Sequence, residues 1–401
     1  MITPRPTNFL GKSSPGNRHG KILAKMASDG RLVEQLSRSA HAGIALLRST
    51  ATRPTAPLKL NFCLTYWCQY SCKTCNIWKR KPTDELTTDE VIGLVRENPH
   101  VTWADLTGGE IFLRSDIDEI LDAVVTGWRR LALLHFPTNG FLTDRIVKSA
   151  ERIAGRGPAK TIITVSLDGD EETNDDIRGI RGGFRRQIET FKALRRIPGI
   201  QTVFGVTLSS HNLGRFSETF DACARECPGL TIHDVHLNVA QASEHYYGNS
   251  TGSIGLDPVK AREDLAQYRT LRGRSRWPTQ LLEGIYLSYL DDFLRTGRTP
   301  MPCHALRAGC FIDPWGVVYP CISYSKPIGR LRETGMRLDP IWNAYETTRL
   351  QGEIWDGHCP QCWTSCEAYQ SILGNVLAGR LRSERAEGAI PSKPSATTDP
   401  V

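Results

Sequence analysis

Short apolar runs alternate along the chain with longer segments in which apolar residues recur every three or four positions. The short runs predict strands, and the periodic segments predict helices. The predicted strands are 58–65, 101–107, 131–137, 161–167, 202–208 and 230–239. The predicted helices between them are 87–97, 116–128, 143–155, 183–196 and 214–227. Alternation at this spacing implies an α/β fold with parallel strands and right-handed crossovers, either an open sheet or a partial barrel.

The pattern changes on both sides of this alternating region. A leading helix is predicted between Leu32 and Leu47, before a Pro-containing linker. Two further helices near 257–272 and 278–295 lead into a Cys-rich region that is too irregular to continue a barrel. We therefore expect a basic, partly disordered arm with a helix (1–57), an α/β core (58–250), a helical linker (251–302), a small metal-stapled domain (303–382) and a disordered tail (383–401).

Composition and charge narrow the possible partners. The 401 residues are 40% hydrophobic and 23% charged, which suits a globular protein. No stretch approaches the roughly 20 apolar residues of a membrane span or the pattern of a signal peptide, so we expect a cytoplasmic protein without a membrane span. The net charge of +7 is concentrated in residues 1–60, which hold ten Lys or Arg and two Asp or Glu. Because the remainder is nearly neutral, no nucleic-acid partner is expected.

The spacing of the twelve cysteines is the strongest chemical signal. In a cytoplasmic protein thiols stay reduced, so clustered cysteines indicate metal ligands. Cys68, Cys72 and Cys75 follow the first predicted strand, at the end of the strand where α/β folds carry their chemistry. Three closely spaced thiolates can hold three irons of a four-iron cluster and leave the fourth iron open to an added ligand. The alternative is a zinc knuckle with a distant fourth ligand.

Polar or glycine-rich turns also follow the next three strands. Gly108 and Gly109 would let the backbone approach a ligand closely, and Glu110 can accept a hydrogen bond from an ammonium group. Taken alone, each such turn is equally well explained as a cap or a tight turn. The other segments of this kind are Thr138-Asn139-Gly140, Ser166-Leu167-Asp168-Gly169 and Asp176-Ile177-Arg178-Gly179.

Together these motifs resemble the radical S-adenosylmethionine (SAM) superfamily, whose CxxxCxxC loop is matched by Cys68, Cys72 and Cys75. The resemblance implies a partial (β/α)6 barrel and a SAM-binding 4Fe-4S cluster on these cysteines. Such enzymes reductively cleave SAM to a 5′-deoxyadenosyl radical, which abstracts hydrogen from a substrate carbon. An external electron donor such as a flavodoxin or ferredoxin is implied. The residues that it implies as SAM contacts are Gly108, Gly109, Glu110 (on the amino group), Asn139, Ser166, Asp168 and Arg178.

One position departs from the family pattern. The residue before the third cysteine is often aromatic and packs near adenine, but here it is Thr74. We expect Trp78 to supply that surface. Cys63, Cys223 and Cys227 are interpreted as core residues.

A second constellation of cysteines resembles the SPASM and twitch domains, which carry auxiliary four-iron clusters. It reads Cys303-x12-Gly316-x4-Cys321 and Cys359-x2-Cys362-x3-Cys366, with Cys310 inside the first part. Six thiols fill one four-thiolate cluster and leave two over. The set Cys303, Cys321, Cys359 and Cys362 resembles the twitch ligands most closely, whereas Cys303, Cys310, Cys321 and Cys366 resemble one SPASM site. A zinc site is the alternative.

The sequence thus predicts a radical SAM enzyme in which an auxiliary cluster assists electron transfer. A small-molecule or sugar-type oxidation is favoured, because the N-terminal 57 residues look too short and irregular for a peptide-recognition domain. The alternatives are a ribosomal peptide or protein maturase and, in another class, a noncatalytic iron-sulfur or zinc scaffold. After the sixth strand, His245, Tyr246 and Tyr247 are candidates for handling a proton; the competing interpretation is a loop that packs on the C-terminal domain.

Overall fold

The computed structural model describes residues 30–249, 255–273 and 278–379. Residues 1–29 of the predicted basic arm and the whole predicted tail lie outside these ranges. The alternating core has the predicted order. Its six parallel strands are β1 (Lys59–Cys63), β2 (Trp103–Thr107), β3 (Leu133–Thr138), β4 (Lys160–Ser166), β5 (Ile200–Leu208) and β6 (Val235–Val239). They pair in sequential order, so the core is a (β/α)6 sheet of the partial-barrel type.

Helices connect the parallel strands. They are α2 (Thr88–Glu97), α3 (Ile117–Gly127), α4 (Thr143–Ile153), α5 (Glu171–Arg178), α6 (Gly183–Leu194) and α7 (Phe216–Glu226). Helix α2 begins with a capping box, in which the Thr87 side chain accepts from the Glu90 amide and the Glu90 side chain accepts from the Thr87 amide. The short helix α5 is absent from the sequence-based prediction because its segment, Glu-Glu-Thr-Asn-Asp-Asp-Ile-Arg, has no apolar stripe. Asp170 caps its first turn, and Gly179, at φ 64°, ends it.

The remaining helices lie before and after this core. They are α1 (Arg31–Ala51), α8 (Pro258–Arg272), α9 (Pro278–Thr296), α10 (Asp339–Trp342), α11 (Tyr345–Trp355) and α12 (Ser365–Leu377). Two of them close the gap between the outer strands of the barrel. Helix α9 reaches β6, where the Tyr286 hydroxyl donates to Asn238 at 3.0 Å. Helix α12 reaches β1, where the Asn61 amide donates to Glu367 at 2.9 Å.

The Cys-rich region does not form a separate sheet. Its strand β7 (Gly309–Ile312) pairs in parallel with β1, and β8 (Val317–Tyr319) and β9 (Gly329–Arg330) follow in antiparallel order. The prediction that this region does not continue the barrel is therefore wrong for the sheet. Sequence periodicity misses the pairing because β7 is only four residues long, too short to show a period.

Candidate active site

The three cysteines of the loop after β1 share one cavity. Cys68, Cys72 and Cys75 all line a space of about 640 Å³ inside the barrel. Gly108, Gly109, Asn139, Ser166, Asp168 and Arg178 line it as well, so most of the predicted SAM contacts are brought together at the carboxyl ends of the strands. Thr74 and Trp78 are also on its wall, the latter at the position expected to replace the missing aromatic residue. Contact with adenine remains a prediction.

The end of α5 holds the cysteine loop in place. The Lys73 amide donates to the Ile177 carbonyl at 2.8 Å, and the Ser71 hydroxyl donates to the Gly179 carbonyl at 3.1 Å. A Cβ atom at Gly179 would lie 2.2 Å from the Ser71 hydroxyl oxygen, so only glycine permits this approach. The Asp-Ile-Arg-Gly segment therefore has a local role in positioning the cysteines, beyond any contact with SAM.

Arg178 places a positive charge beside the cysteine loop. Its guanidinium forms an ion pair with Asp168 at 2.7 Å, and Asp168 also accepts from the Thr207 amide at 2.9 Å. Burial raises the pKa of the Cys72 thiol, and the charge of Arg178 opposes that rise. A cation at this position favours the thiolate form that binds iron. The predicted role of Arg178 is a contact with SAM, but its guanidinium is already paired with Asp168. Its position beside Cys72 gives it a second candidate role, which is to compensate the charge of the cluster.

The glycine turn after β2 packs directly on the cysteine loop. A Cβ atom at Gly109 would lie 2.2 Å from the Trp67 carbonyl oxygen and 2.8 Å from Cβ of Cys68. Any larger residue would displace the cysteine loop. The Gly109 and Glu110 amides complete the contact by donating to the Thr65 and Trp67 carbonyls, both at 2.8 Å.

The Glu110 carboxylate is turned into the protein and is 1% exposed. It accepts from the Thr138 hydroxyl at 2.9 Å, the Asn139 amide at 2.7 Å and the Phe112 amide at 3.3 Å. Burial raises its pKa to about 7 although all three donors oppose the rise. Glu110 is not among the residues on the cavity wall, unlike Asn139. Its visible role is to hold the turn after β3, and a bond to the SAM amino group remains a prediction.

Two residues of the cavity wall, Tyr70 and Arg178, each carry a buried polar atom without a partner in the described part of the chain. The Tyr70 hydroxyl belongs to a side chain that is 1% exposed, and neither it nor Nε of Arg178 has a hydrogen-bond partner among the described residues. Buried polar atoms without partners are costly, and a polar ligand would satisfy them. Thiol donors, a neighbouring cation and these free donors are the chemistry that a 4Fe-4S cluster with SAM requires. The residues present therefore fit both groups.

The three candidate residues after β6 have different surroundings: two line the cavity, and the third packs on the C-terminal region. Tyr246 and Tyr247 line the cavity, and the Tyr246 hydroxyl bonds to Thr107. His245 is not on the cavity wall; its ring stacks on Tyr319 at 4.2 Å, and its Nδ1 lies 2.9 Å from the Ser325 hydroxyl. For His245 the geometry thus favours the packing interpretation over proton handling. A catalytic role for the two tyrosines stays a prediction.

The cavity continues past the cysteine loop along the barrel. It reaches Trp103 and Lys160 at the starts of β2 and β4, and Ser39 and Leu46 of α1 also line it. Two histidines, His135 and His236, line the cavity between the cysteine loop and this end. His135 is bonded at both nitrogens, to Asp105 at 3.1 Å and to Thr164 at 2.9 Å. His236 is bonded to Glu283 at 3.0 Å through Nδ1, while Nε2 has no partner among the described residues.

The sequence analysis missed these lumen residues. A strand with apolar residues at alternate positions presents its other positions to the opposite face, so Asp105, His135, Thr164 and His236 could have been recognised as one inward-facing set. Glu283 could not, because it comes from α9 and meets β6 only through the closure of the barrel.

The cysteines of the second group are buried or half-buried in the C-terminal region. The pKa of Cys303 is raised by burial and then by the charges of Glu367, Cys362 and Cys359, and that of Cys321 by burial and then by Glu367, Cys362 and Cys303. The charges of Cys359 and Cys362 thus act on Cys303, and those of Cys303 and Cys362 act on Cys321. These four thiols are the twitch-like set. Within the described ranges no three His, Cys, Asp or Glu side chains can hold a single metal ion; a four-iron cluster differs in that each iron takes its own thiolate.

The two other cysteines of this region have different surroundings. Cys310 is on β7, 1% exposed in the main core, and the charge that raises its pKa after burial is that of Glu367 alone. Cys366 lines the active cavity. Of the cysteines predicted to be core, Cys63, Cys223 and Cys227 are all buried, as expected.

Comparison with known proteins decides the family. The radical SAM superfamily model matches residues 62–223, and that of an iron-sulfur cluster-binding domain, SPASM, matches 303–367. An AdoMet-dependent heme synthase of Methanosarcina barkeri is 31% identical over 331 residues, or 77% of this chain and 88% of that protein. The chain belongs to the radical SAM superfamily. As a radical SAM enzyme with a SPASM domain, it uses SAM and 4Fe-4S clusters as cofactors, as predicted.

Two other similar proteins are named for the maturation of a killing factor and the biosynthesis of a bacteriocin. The sporulation killing factor maturation protein SkfB of Bacillus subtilis is 24% identical over 288 residues, covering 70% of this chain, and the antilisterial bacteriocin subtilosin biosynthesis protein AlbA of the same organism is 30% identical over 326 residues, covering 77%. The chain spans 64% of the length of each.

A solved structure has the same fold. Streptococcus suis SuiB bound to S-adenosylmethionine superposes with a TM-score of 0.54 at 17% identity, over 84% of this chain and 80% of SuiB. At that identity the likeness concerns the fold. No helix in the described ranges is both long and apolar enough to cross a membrane.

Proposed function

We propose that this radical SAM enzyme modifies a ribosomally made peptide or protein. It would cleave SAM reductively and abstract hydrogen from a carbon of that peptide, with electrons supplied by a flavodoxin or ferredoxin. The observation that carries this proposal is the similarity to SkfB and AlbA, whose names state the maturation of a killing factor and the biosynthesis of a bacteriocin. These comparisons favour the maturase, which was the sequence-based alternative, over the small-molecule oxidation that the sequence pattern favoured.

The shape of the cavity is compatible with a peptide side chain. It extends from the cysteine loop to the first residues of β2 and β4, so space remains beyond the positions of the predicted SAM contacts. Its wall mixes apolar groups such as Trp103 with polar ones such as Asn238 and Thr207. A wall of this kind can hold one inserted side chain while its backbone stays at the mouth.

The residue roles within this function are part of the proposal. Cys68, Cys72 and Cys75 would hold the cluster that binds SAM, with Gly108, Gly109, Asn139, Ser166 and Asp168 around the SAM molecule, Arg178 beside the cluster and Glu110 supporting the turn from below. When both are bound, the cluster and SAM together would supply the 5′-deoxyadenosyl radical. Cys303, Cys321, Cys359 and Cys362 would hold the auxiliary cluster. Mutual proximity of the second set and the shared cavity of the first support this division.

Mass spectrometry of candidate peptides tests the proposal. The reconstituted enzyme, SAM and dithionite are incubated with short peptides encoded beside its gene, and peptide mass is followed together with 5′-deoxyadenosine. We expect one peptide to change mass in proportion to the 5′-deoxyadenosine formed. The Cys68→Ala variant is the control that should leave the peptide unchanged.

A second candidate is a small-molecule substrate of the tetrapyrrole class. The heme synthase similarity favours it, since that alignment covers 88% of the relative, against 64% for SkfB. Turnover of a tetrapyrrole carboxylate, with every peptide left unchanged, would replace the first proposal by the second.

A further inference from the structure

Cys366 stands apart from the other cysteines of the C-terminal region. It lies in the first turn of α12 and lines the active cavity, together with Cys68 and Cys75. None of Cys303, Cys321, Cys359 and Cys362 lines that cavity. Cys366 also packs on the same small apolar cluster as Cys68, Cys75 and Tyr247, whereas Cys303 and Cys359 pack on the main core. It thus faces the radical site.

The backbone at Cys366 is fixed from two sides. The Lys59 ammonium donates to the Cys366 carbonyl and forms a buried ion pair with Asp105 at 2.8 Å. The next residue, Glu367, accepts from the Asn61 amide at 2.9 Å. These contacts tie the first turn of α12 to β1 and β2, so the thiol is held at a constant place on the cavity wall.

A second observation points to a ligand at this place. Asn61 is 2% exposed and lines the same cavity, and its Oδ1 has no hydrogen-bond partner among the described residues. Because the amide nitrogen is already used by Glu367, the free oxygen cannot be satisfied by turning the side chain. A donor on a bound molecule would satisfy it, next to the Cys366 segment.

We propose that Cys366 is a free thiol of the active cavity that gives a hydrogen atom to a carbon radical formed there, and is not a cluster ligand. In this step the S–H bond breaks homolytically and a C–H bond forms, which leaves a thiyl radical. The S–H bond is weaker than the alkyl C–H bond that replaces it, so the transfer is downhill. One electron from the reductant and one proton from solvent then restore the thiol. The inference needs the radical SAM chemistry but not the peptide substrate.

The test uses the reconstituted enzyme in D2O with SAM and dithionite, without substrate. The thiol hydrogen exchanges with solvent, so the radical that takes it becomes deuterated 5′-deoxyadenosine. We expect deuterium in the wild-type product and its loss in Cys366→Ser, which keeps the size of the side chain but has a much stronger O–H bond. The matched control is Cys63→Ala, a buried thiol of the same apolar cluster that does not line the cavity, and it should keep the deuterium.

A further measurement does not depend on turnover. Iron should stay at about eight atoms per chain in Cys366→Ser, as two intact four-iron clusters require. Loss of about half the iron would make Cys366 a ligand and overturn the proposal. Deuterium that persists in Cys366→Ser, or that disappears instead in Tyr247→Phe, would also overturn it, since the donor would then be another group.

Discussion

The two cysteine sites of this enzyme differ in what surrounds them. All three cysteines after β1 open onto the barrel cavity, beside a cation and glycine turns that allow close approach. In the twitch-like set the charge of Glu367 acts on Cys303, Cys321 and Cys362, and none of the four thiols lines the cavity. The difference matches the number of thiols, because three leave an iron open to SAM and four do not.

The comparison also shows how the sites are joined. Helix α12 carries Cys366 on the cavity wall, and the charge of the next residue, Glu367, raises the pKa of Cys303 and Cys321. Closing the barrel and placing the second site beside the first are therefore done by the same helix.

The largest effect is expected at the cysteines after β1, which we call the open site because three thiolates leave one iron free. Replacing Cys68, Cys72 and Cys75 together by Ala should abolish SAM cleavage and reduce iron from about eight to about four atoms per chain. Iron analysis and 5′-deoxyadenosine formation measure the two effects. If the triple variant still cleaves SAM, the assignment of the open site is wrong.

A similar loss of iron should follow when a cysteine of the twitch-like set is replaced, while the cluster held by Cys68, Cys72 and Cys75 stays in place. Cys321→Ala should leave about four irons and make residues beyond 303 sensitive to protease, because the metal contributes to folding of a small domain. Cys310→Ala is the matched control, a buried thiol on the neighbouring strand β7 that should keep all the iron. Retention of iron by Cys321→Ala together with its loss in Cys310→Ala would reverse the ligand choice.

The contact of α12 with β1 and β2 can be tested through Lys59. Its side chain is 1% exposed, donates to the Cys366 carbonyl and forms an ion pair with Asp105. Lys59→Met should lower the free energy of unfolding by about 3 to 5 kcal/mol, because a buried carboxylate loses its charged partner. Arg185→Met removes an exposed pair, at 78% and 47% exposure, and should cost under about 1 kcal/mol. If urea unfolding shows the same small loss of unfolding free energy for Lys59→Met and Arg185→Met, the contact of α12 with β1 and β2 does not depend on the ion pair.

A smaller effect is expected from Glu110, which supports the open site from below. Glu110→Gln should weaken SAM binding by on the order of 1.5 to 3 kcal/mol, since charge-assisted bonds to the turn after β3 are lost. Iron content should not change, because no thiolate is touched. Equilibrium binding of SAM measures the loss, and unchanged affinity would remove Glu110 from the support of this site.

The smallest effect concerns the turn between β7 and β8. Asp313 accepts from the Trp315 and Val317 amides, both at 2.9 Å, and burial raises its pKa from 3.8 to about 6. The folded state then binds this proton more tightly than the unfolded state, so stability falls as pH rises between these two values and is level above them. Asp313→Asn should flatten that part of the curve in urea unfolding. An unchanged slope would show that another group titrates.

The alternating strands and helices were predictable because the helices between the core strands have an apolar face, with the exception of α5, and the boundaries agree to within a few residues. The exception is the start of β6, placed at 230, where Ile232–Asp234 form a short 3-10 turn before the strand begins at Val235. The motifs at the strand ends were also readable, since parallel strands must bring their carboxyl ends to one edge. These features depend on residues that are near one another in the chain.

The sequence by itself predicted the radical SAM family, the alternating core and a loop of three cysteines after β1, because each depends on a short local pattern. Only the tertiary structure decided which face of the loop after β6 meets the cavity, that α9 and α12 close the barrel, and that Cys366 lies with the open site although it is four residues from Cys362. Spacing along a chain gives the distance between thiols within one loop. When a helix begins between two cysteines, the direction of each is set by what that helix packs against, and here it packs on β1.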